Sequence, residues 1–269
     1  MSLAIRALLL LAGTCLGCLA ASSTIDAKDL TFGGTGSATE LLRHLGATFG
    51  KETEFGVRVV PSLGSTGGLR ALGDGVLDLA VSGRPLTPQE EAKGLSVAFT
   101  ARTPFVIATS HPKPNGLNAR DVIGALSSQG ATWRDGTPIR VVLRPRSESD
   151  TALMGELFPG LASAIETARR RPEVPVAATD QDNAEAAEQL PGSLVGSTLA
   201  QLMLEKRNLR PVPIDGVEPT FENLERGIYP YGKTLYFVVP AHPTAGVAGF
   251  LAFLRSPAGK AALRAAHTL

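Results

Sequence analysis

The sequence predicts an α/β protein in which helices flank a mostly parallel sheet. Two successive units of strand, glycine-rich turn and helix indicate this class: residues 33–37 separate a strand at 30–32 from a helix, and residues 64–68 follow a strand at 57–60. Parallel strands need crossover connections, which helices usually provide. The 29 glycines and 19 prolines fit the many tight turns of such a chain.

Apolar patterns predict the individual elements. Apolar residues recur at helical spacing from Leu41 to Phe49 in the first helix and from Leu69 to Val76 in the second. In chain order, the remaining predicted elements are a strand at 77–81, a strand at 105–109, a helix near 121–126, a strand at 139–143, helices from 151 to 171, a strand at 174–178, a helix ending near 190, a strand at 235–239 and two short closing helices. Ligands of such sheets bind at the carboxyl ends of the strands.

Residues 1–22 are predicted to be a signal peptide. Arg6 precedes an apolar run at 7–16, which small residues follow, and this run is shorter than the roughly 20 residues that span a bilayer. Cleavage implies a periplasmic or secreted protein. Residues 16–18 resemble part of a bacterial lipoprotein box, so a lipid anchor on Cys18 is the alternative. Both cysteines lie in this leader, and no disulfide is expected in the mature chain.

Composition excludes several classes of function. The 269 residues carry a formal net charge of +1, with 43% hydrophobic and 5% aromatic residues, which fits a globular protein without a nucleic-acid partner. The four histidines lack metal-ligand spacing, and the sequence has neither a Walker A motif nor a G-x-S-x-G elbow. We therefore expect neither an enzyme, nor a metal site, nor a cofactor.

Three loops share features of oxyanion sites. Residues 64–68 combine unpaired N–H groups at a helix start with the hydroxyls of Ser65 and Thr66. Residues 36–39 repeat this arrangement, and residues 147–151 follow the strand at 139–143. Ordinary helix capping is the alternative for any single loop, because Ser and Thr are favoured caps. Three such loops that converge favour binding.

The order of these segments resembles that of the phosphate-binding proteins of ABC transporters. The matching segments are GSAT at 36–39, GSTGG at 64–68, DLAVSGRPL at 78–86, WRD at 133–135, RPRSESDT at 144–151, PGSLVG at 191–196, IYP at 228–230 and FLAFLRSPAG at 250–259. The resemblance extends over nearly the whole mature chain.

The resemblance implies a two-lobed type II periplasmic-binding-protein fold, each lobe a mostly parallel sheet flanked by helices, with the ligand cleft between the lobes. Residues 28–105 plus 233–269 would form one lobe, and residues 106–232 the other. The implied function is capture of phosphate or a related small oxyanion, by an extracytoplasmic monomer, for an ABC transporter with its permease in the inner membrane. The alternative is a secreted phosphate-binding-like protein with a sensing or adhesion role and no transport partner.

The resemblance also implies the ligand contacts. These are the Ser37 hydroxyl, the Ala38 amide, the hydroxyls of Ser65, Ser149 and Thr151, and one arginine. The family position of this arginine falls on Pro145, which leaves Arg144 and Arg146 as candidates. An arginine is suited to the role because its fork can hold two ligand oxygens.

Two positions depart from the family pattern. Gly83 stands where many members have an aspartate that accepts a proton from the ligand, and Asp150 replaces the glycine of a Ser-Gly-Thr segment. Asp150 could accept the proton instead, although an ionised carboxylate would repel a dianion. The favoured alternative is that Asp150 turns outward and caps the following helix. We expect altered discrimination against fully deprotonated anions such as sulfate.

Overall fold

The computed structural model describes residues 29–269, which form alternating strands and helices. The strands are β1 Leu30–Gly34, β2 Val57–Val59, β3 Leu79–Ser82, β4 Ser96–Thr109, β5 Arg140–Val141, β6 Ser193–Thr198, β7 Arg210–Pro211 and β8 Gly232–Val239. The helices are α1 Thr39–Glu52, α2 Gly64–Gly73, α3 Pro88–Ala92, α4 Ala119–Ser127, α5 Ser149–Leu157, α6 Leu161–Arg169, α7 Asp180–Gln189, α8 Leu199–Leu204, α9 Phe221–Glu225, α10 Ala245–Arg255 and α11 Pro257–Ala265. A short 3-10 helix, Gly36–Ala38, precedes α1. The α/β class is confirmed.

The sheet is mixed rather than mostly parallel. The strands follow the order β2-β1-β3-β8-β4-β6-β5, with β7 paired to β4. β1 is parallel to β2 and β3, and β5 is parallel to β6, but β8 is antiparallel to both β3 and β4, and β4 is antiparallel to β6 and β7. The expected parallel majority is wrong because β4 and β8 run antiparallel to every strand that they pair with, and antiparallel pairs do not need helical crossovers.

Strand β4 is longer than the predicted 105–109. Its first part pairs with β8 from Ser96 to Pro104, and its second part pairs with β6 from Phe105 to Ala108. The first part escapes prediction because it mixes exposed and buried residues, whereas the second part is buried throughout. β4 therefore connects two regions of packing.

The apolar side chains pack in separate clusters. The largest contains residues from 30–101 and 235–266, and Phe32, Phe49 and Phe250 lie at its centre, with ring centroids 4.8 and 5.4 Å apart for the Phe32–Phe250 and Phe49–Phe250 pairs. A second contains residues from 105 to 214, including Phe105 and Trp133. The lobe boundaries at 105/106 and 232/233 stay a prediction.

The predicted signal peptide and Cys18 lie outside the described residues. Within residues 29–269, no helix is both long enough and apolar enough to cross a membrane.

Candidate functional site

Glycines bring the first two predicted loops together. Gly34 ends β1 at φ +130°, and a Cβ there would lie 2.0 Å from the carbonyl oxygen of Val81 on β3. A Cβ on Gly68 of α2 would lie 2.5 Å from the Cα of Gly34. Only glycines allow these backbones to approach so closely. The glycine-rich pattern thus serves close packing of α2 against the end of β1.

Ser65 lies in the first turn of α2 and is buried. Its Oγ accepts a hydrogen bond from the backbone N–H of Gly83 at 2.9 Å, just after β3. The same Oγ lies 3.5 Å from the Oγ of Ser149, the first residue of α5. Two predicted loops that are 84 positions apart in the chain therefore meet here.

Ser37 meets a residue that was not predicted. The Nζ of Lys233, on β8, donates to the Oγ of Ser37 at 2.8 Å and also pairs with the carboxylate of Asp150. Lys233 has no exposed surface, and Asp150 is also buried. We call Ser37, Ser65, Ser149, Asp150 and Lys233, with the Gly83 amide, the serine–lysine cluster.

Gly83 makes room for this cluster. A Cβ at this position would lie 2.7 Å from the Oγ of Ser149 and 2.8 Å from the Cε of Lys233. Contacts this short are not tolerated without a shift of one partner. The absence of a side chain at position 83 is therefore matched to the presence of a lysine at position 233.

A second layer of charge lies beside the cluster. The guanidinium of Arg144 donates to the carbonyl of Ala177 at 2.7 Å, lies 3.2 Å from Glu148, and has its Nε 3.7 Å from the carboxylate of Asp180. Burial, and next the nearby Asp150 carboxylate, raises the pKa of Asp180 to about 6, although Lys233 and Arg144 act in the opposite direction. Asp180 thus titrates closer to neutral pH than an ordinary aspartate.

A small cavity adjoins the cluster. Its volume is about 20 Å³, and its polar lining residues are Arg144, Asp150, Thr151 and Asn183. A space of this size holds about one water molecule. A tetrahedral oxyanion would therefore enter only if the surrounding side chains moved.

Four of the predicted contacts come together in the serine–lysine cluster: Ser37, Ser65, Ser149 and Asp150. Asp150 points inward to Lys233, so the favoured interpretation of an outward-facing helix cap is wrong. The buried ammonium explains its orientation, because a buried lysine needs an anionic partner.

The other predicted contact residues are exposed, or their polar groups form hydrogen bonds with other parts of the protein. Thr66 is exposed and accepts from Arg84 at 3.2 Å, and Arg146 is exposed and pairs with Glu166. The Ala38 amide donates to the Thr35 carbonyl at 3.1 Å. The Thr151 hydroxyl donates to the Pro145 carbonyl at 2.9 Å. Ligand contact by any of the predicted residues stays a prediction.

A signal for Lys233 is present in the sequence. Lys233, Leu235, Phe237 and Val239 alternate along β8, which places the lysine on the same buried face as three large apolar residues. The predicted strand at 235–239 stops short of this lysine, because lysine is rarely fully buried. Among residues 29–269, no group of three or more His, Cys, Asp or Glu side chains is arranged to hold a metal ion.

Solved structures share this fold at low sequence identity. A protein described as a phosphate ABC transporter substrate-binding protein from Clostridium perfringens, with phosphate bound, is 16% identical with a TM-score of 0.73, and the alignment covers 90% of this chain and 99% of that one. An ABC-type phosphate transport receptor from Vibrio cholerae is 19% identical with a TM-score of 0.60, covering 89% and 99%. The effector-binding domain of QuiR in complex with shikimate is 10% identical with a TM-score of 0.57, covering 89% and 97%. At these identities the likeness shows the fold alone.

The family is established by the sequence itself. No curated protein matches it. The family described as "PBP superfamily domain" matches residues 20–258, which is most of the chain. The chain therefore belongs to the PBP superfamily, a family of binding proteins and not of enzymes.

Proposed function

We propose that this chain is an extracytoplasmic solute-binding protein that captures phosphate or a related small oxyanion for an ABC transporter. The observation that carries the proposal is the convergence of three serine hydroxyls, of Ser37, Ser65 and Ser149, with a buried ammonium and a backbone amide. Hydroxyl, amide and ammonium donors are the groups that hold oxyanion oxygens. The burial of Ser37, Ser65 and Lys233 strengthens their hydrogen bonds, because the surroundings have a low dielectric constant.

Both predicted lobes would contribute residues to the serine–lysine cluster. With boundaries at 105/106 and 232/233, one lobe supplies Ser37, Ser65, Gly83 and Lys233, and the other supplies Ser149 and Asp150. A ligand bound here would hold the two lobes together. Such closure around a solute is a common mode of hinge motion in binding proteins.

A panel of small ligands tests the proposal. We expect phosphate, and to some degree sulfate, to raise the melting temperature, with shikimate as a carboxylate comparison. A ligand at about 100 times its dissociation constant stabilises the folded state by about 2.7 kcal/mol, which is a shift of a few degrees for a chain of this size. The Ser65→Ala variant should lose most of the shift. Ser163→Ala, at an exposed position of α6, is the matched control.

A panel without any shift would contradict oxyanion binding. It would favour the second function expected from the sequence, a sensing or adhesion role without a transport partner. Location is tested separately, by the mass of the mature N-terminus. Cleavage after residue 22 predicts a soluble form, whereas a lipid-modified Cys18 would contradict it.

A further inference from the structure

The buried lysine is an unusual feature that packing alone does not require. Lys233 lies on β8 opposite Thr103 of β4, has no exposed surface, and uses its ammonium on Ser37 and Asp150. A buried ion pair contributes little to stability compared with well-packed apolar side chains of the same volume. Gly83 has no side chain, whereas a Cβ at this position would collide with Lys233. The site is therefore built around this ammonium.

The arginines near the site are paired with other groups of the protein. Arg144 donates to the Ala177 carbonyl and pairs with Glu148, while its buried Nε has no hydrogen-bond partner among the described residues and lies 3.7 Å from Asp180. Arg146 is exposed and pairs with Glu166. Neither has a hydrogen bond to Ser37, Ser65 or Ser149 among the described contacts, whereas Lys233 donates directly to Ser37. Lys233 is thus the cation placed to meet a ligand at the serines.

The charges of the site indicate that a carboxylate of the protein competes with an anionic ligand for Lys233. Asp150, Asp180 and Glu148 face Arg144 and Lys233, so with all five ionised the group carries a formal charge of −1. An anion that enters without displacing a carboxylate would be repelled. Asp150 is the carboxylate that holds Lys233, and it stands at the start of α5 beside Ser149. An anion that replaced it would restore the pairing of Lys233.

We propose that Lys233 is the cationic contact of the bound oxyanion and that Asp150 is its counter-ion only until the oxyanion replaces it. This inference rests on the proposed function and names the residue that sets its affinity. Lys233 supplies the full positive charge that the resemblance assigns to an arginine. Asp150 keeps the buried ammonium paired in the ligand-free protein and lowers the affinity for the ligand.

Calorimetric titration of the folded protein with inorganic phosphate tests this inference through two variants. Asp150→Asn keeps the shape of the side chain and an oxygen that can accept from Lys233, and it removes the charge. This variant should bind phosphate about 10-fold more tightly or better, because the competing charge is gone. Lys233→Met alone would leave the Asp150 carboxylate buried without its ammonium partner and should destabilise the fold, so it is combined with Asp150→Asn. The double variant should bind about 10- to 100-fold more weakly than Asp150→Asn alone, as one hydrogen bond from a charged donor is lost.

The matched control is the double variant Arg70→Met/Asp74→Asn, which removes an exposed ion pair at the C-terminal end of α2. It should bind as the wild type does. In one outcome, the wild type binds phosphate, and Asp150→Asn and the combined Asp150→Asn/Lys233→Met variant bind it equally well. That result would overturn the inference and leave the proposed function standing. Binding by Asp150→Asn that is no tighter than wild type would overturn the role of Asp150 as competitor. Absence of phosphate and sulfate binding by wild type and by Asp150→Asn would overturn the proposed function and the inference together.

Discussion

Gly83 is a position at which a single added carbon should disturb the packing of the serine–lysine cluster. Its Cβ would lie within 2.8 Å of both Ser149 and the buried stem of Lys233. We expect Gly83→Ala to lower the free energy of unfolding by about 1 to 3 kcal/mol, which is typical of overpacking in a buried site. Urea denaturation measures this change.

Gly124→Ala is the control, because Gly124 lies within α4 and a Cβ there meets nothing within 4 Å. It should be neutral or stabilise by a few tenths to about 1 kcal/mol, since alanine restricts the unfolded chain and favours a helix. Equal effects at positions 83 and 124 would mean that Gly83 is not needed to make room for the lysine.

Asp180 should make stability depend on pH in an unusual direction. Its pKa is raised from 3.8 to about 6, so the folded protein holds this proton more tightly than the unfolded chain does. The stability from this group is fully present below about pH 4 and is lost as the pH rises through about 6. The free energy of unfolding of the wild type, minus that of Asp180→Asn, should therefore fall by about 2 kcal/mol between pH 4 and 6.5.

Urea denaturation at pH 4, 5, 6 and 6.5 checks this difference. Glu91→Gln, an exposed substitution on α3, is the matched loss of charge. Its difference from wild type should stay nearly flat over the same range. A difference for Asp180→Asn that is constant or rises with pH would contradict the burial of an ionisable carboxyl at this place.

At the scale of elements, Gln181 ties α7 to the loops at the ends of β1 and β2. Its side chain accepts from Ser62 at 2.7 Å and donates to the carbonyl of Gly36 at 3.1 Å and to Glu205 at 2.7 Å. We expect Gln181→Leu to lower stability by about 1 to 3 kcal/mol, because several partly buried partners lose a hydrogen bond. Hydrogen exchange should accelerate locally, in the 3-10 helix Gly36–Ala38 and the first turn of α1.

Gln189→Leu, at the exposed other end of α7, is the matched control. It should leave the exchange rates near Gly36 unchanged. Acceleration spread evenly over the whole chain for Gln181→Leu would indicate a general loss of stability instead of a released contact between α7 and the 3-10 helix.

At the scale of the whole molecule, the local sequence pattern was enough to predict the helices and strands in the first third of the chain. β1, α1, α2 and β3 were predicted within a few residues, because each has a clear apolar period and a glycine-rich boundary. β6, Ser193–Thr198, was missed as a strand, because its polar residues hide a segment that is almost entirely buried. The predicted strand at 174–178 is reduced to a bridge between Val176 and Leu143.

The site was predictable only where local motifs carry it. Ser37, Ser65 and Ser149 stand in loops whose composition indicates a role, and they do meet. Lys233 and the inward turn of Asp150 depend on each other across 83 positions of the chain, and no local pattern contains that dependence. The direction of β8, which delivers Lys233, likewise follows from tertiary pairing with β3 and β4.

Whether the two main apolar clusters unfold together is a property of the whole chain, and β4 and β8 argue that they do. β4 contributes Ala101 to the first cluster and Phe105 to the second, and its pairing with β8 continues to Pro104. Trp133, the single tryptophan, lies in the second cluster, while Phe250 lies in the first. Phe250→Ala should lower the free energy of unfolding by about 3 to 5 kcal/mol, and we expect the urea midpoint of Trp133 fluorescence to fall together with that of circular dichroism.

The exposed substitution Val76→Ala should move neither midpoint. If Trp133 fluorescence kept its wild-type midpoint while circular dichroism gained an earlier step, the clusters would unfold independently, and the continuous β4–β8 pairing would not couple them.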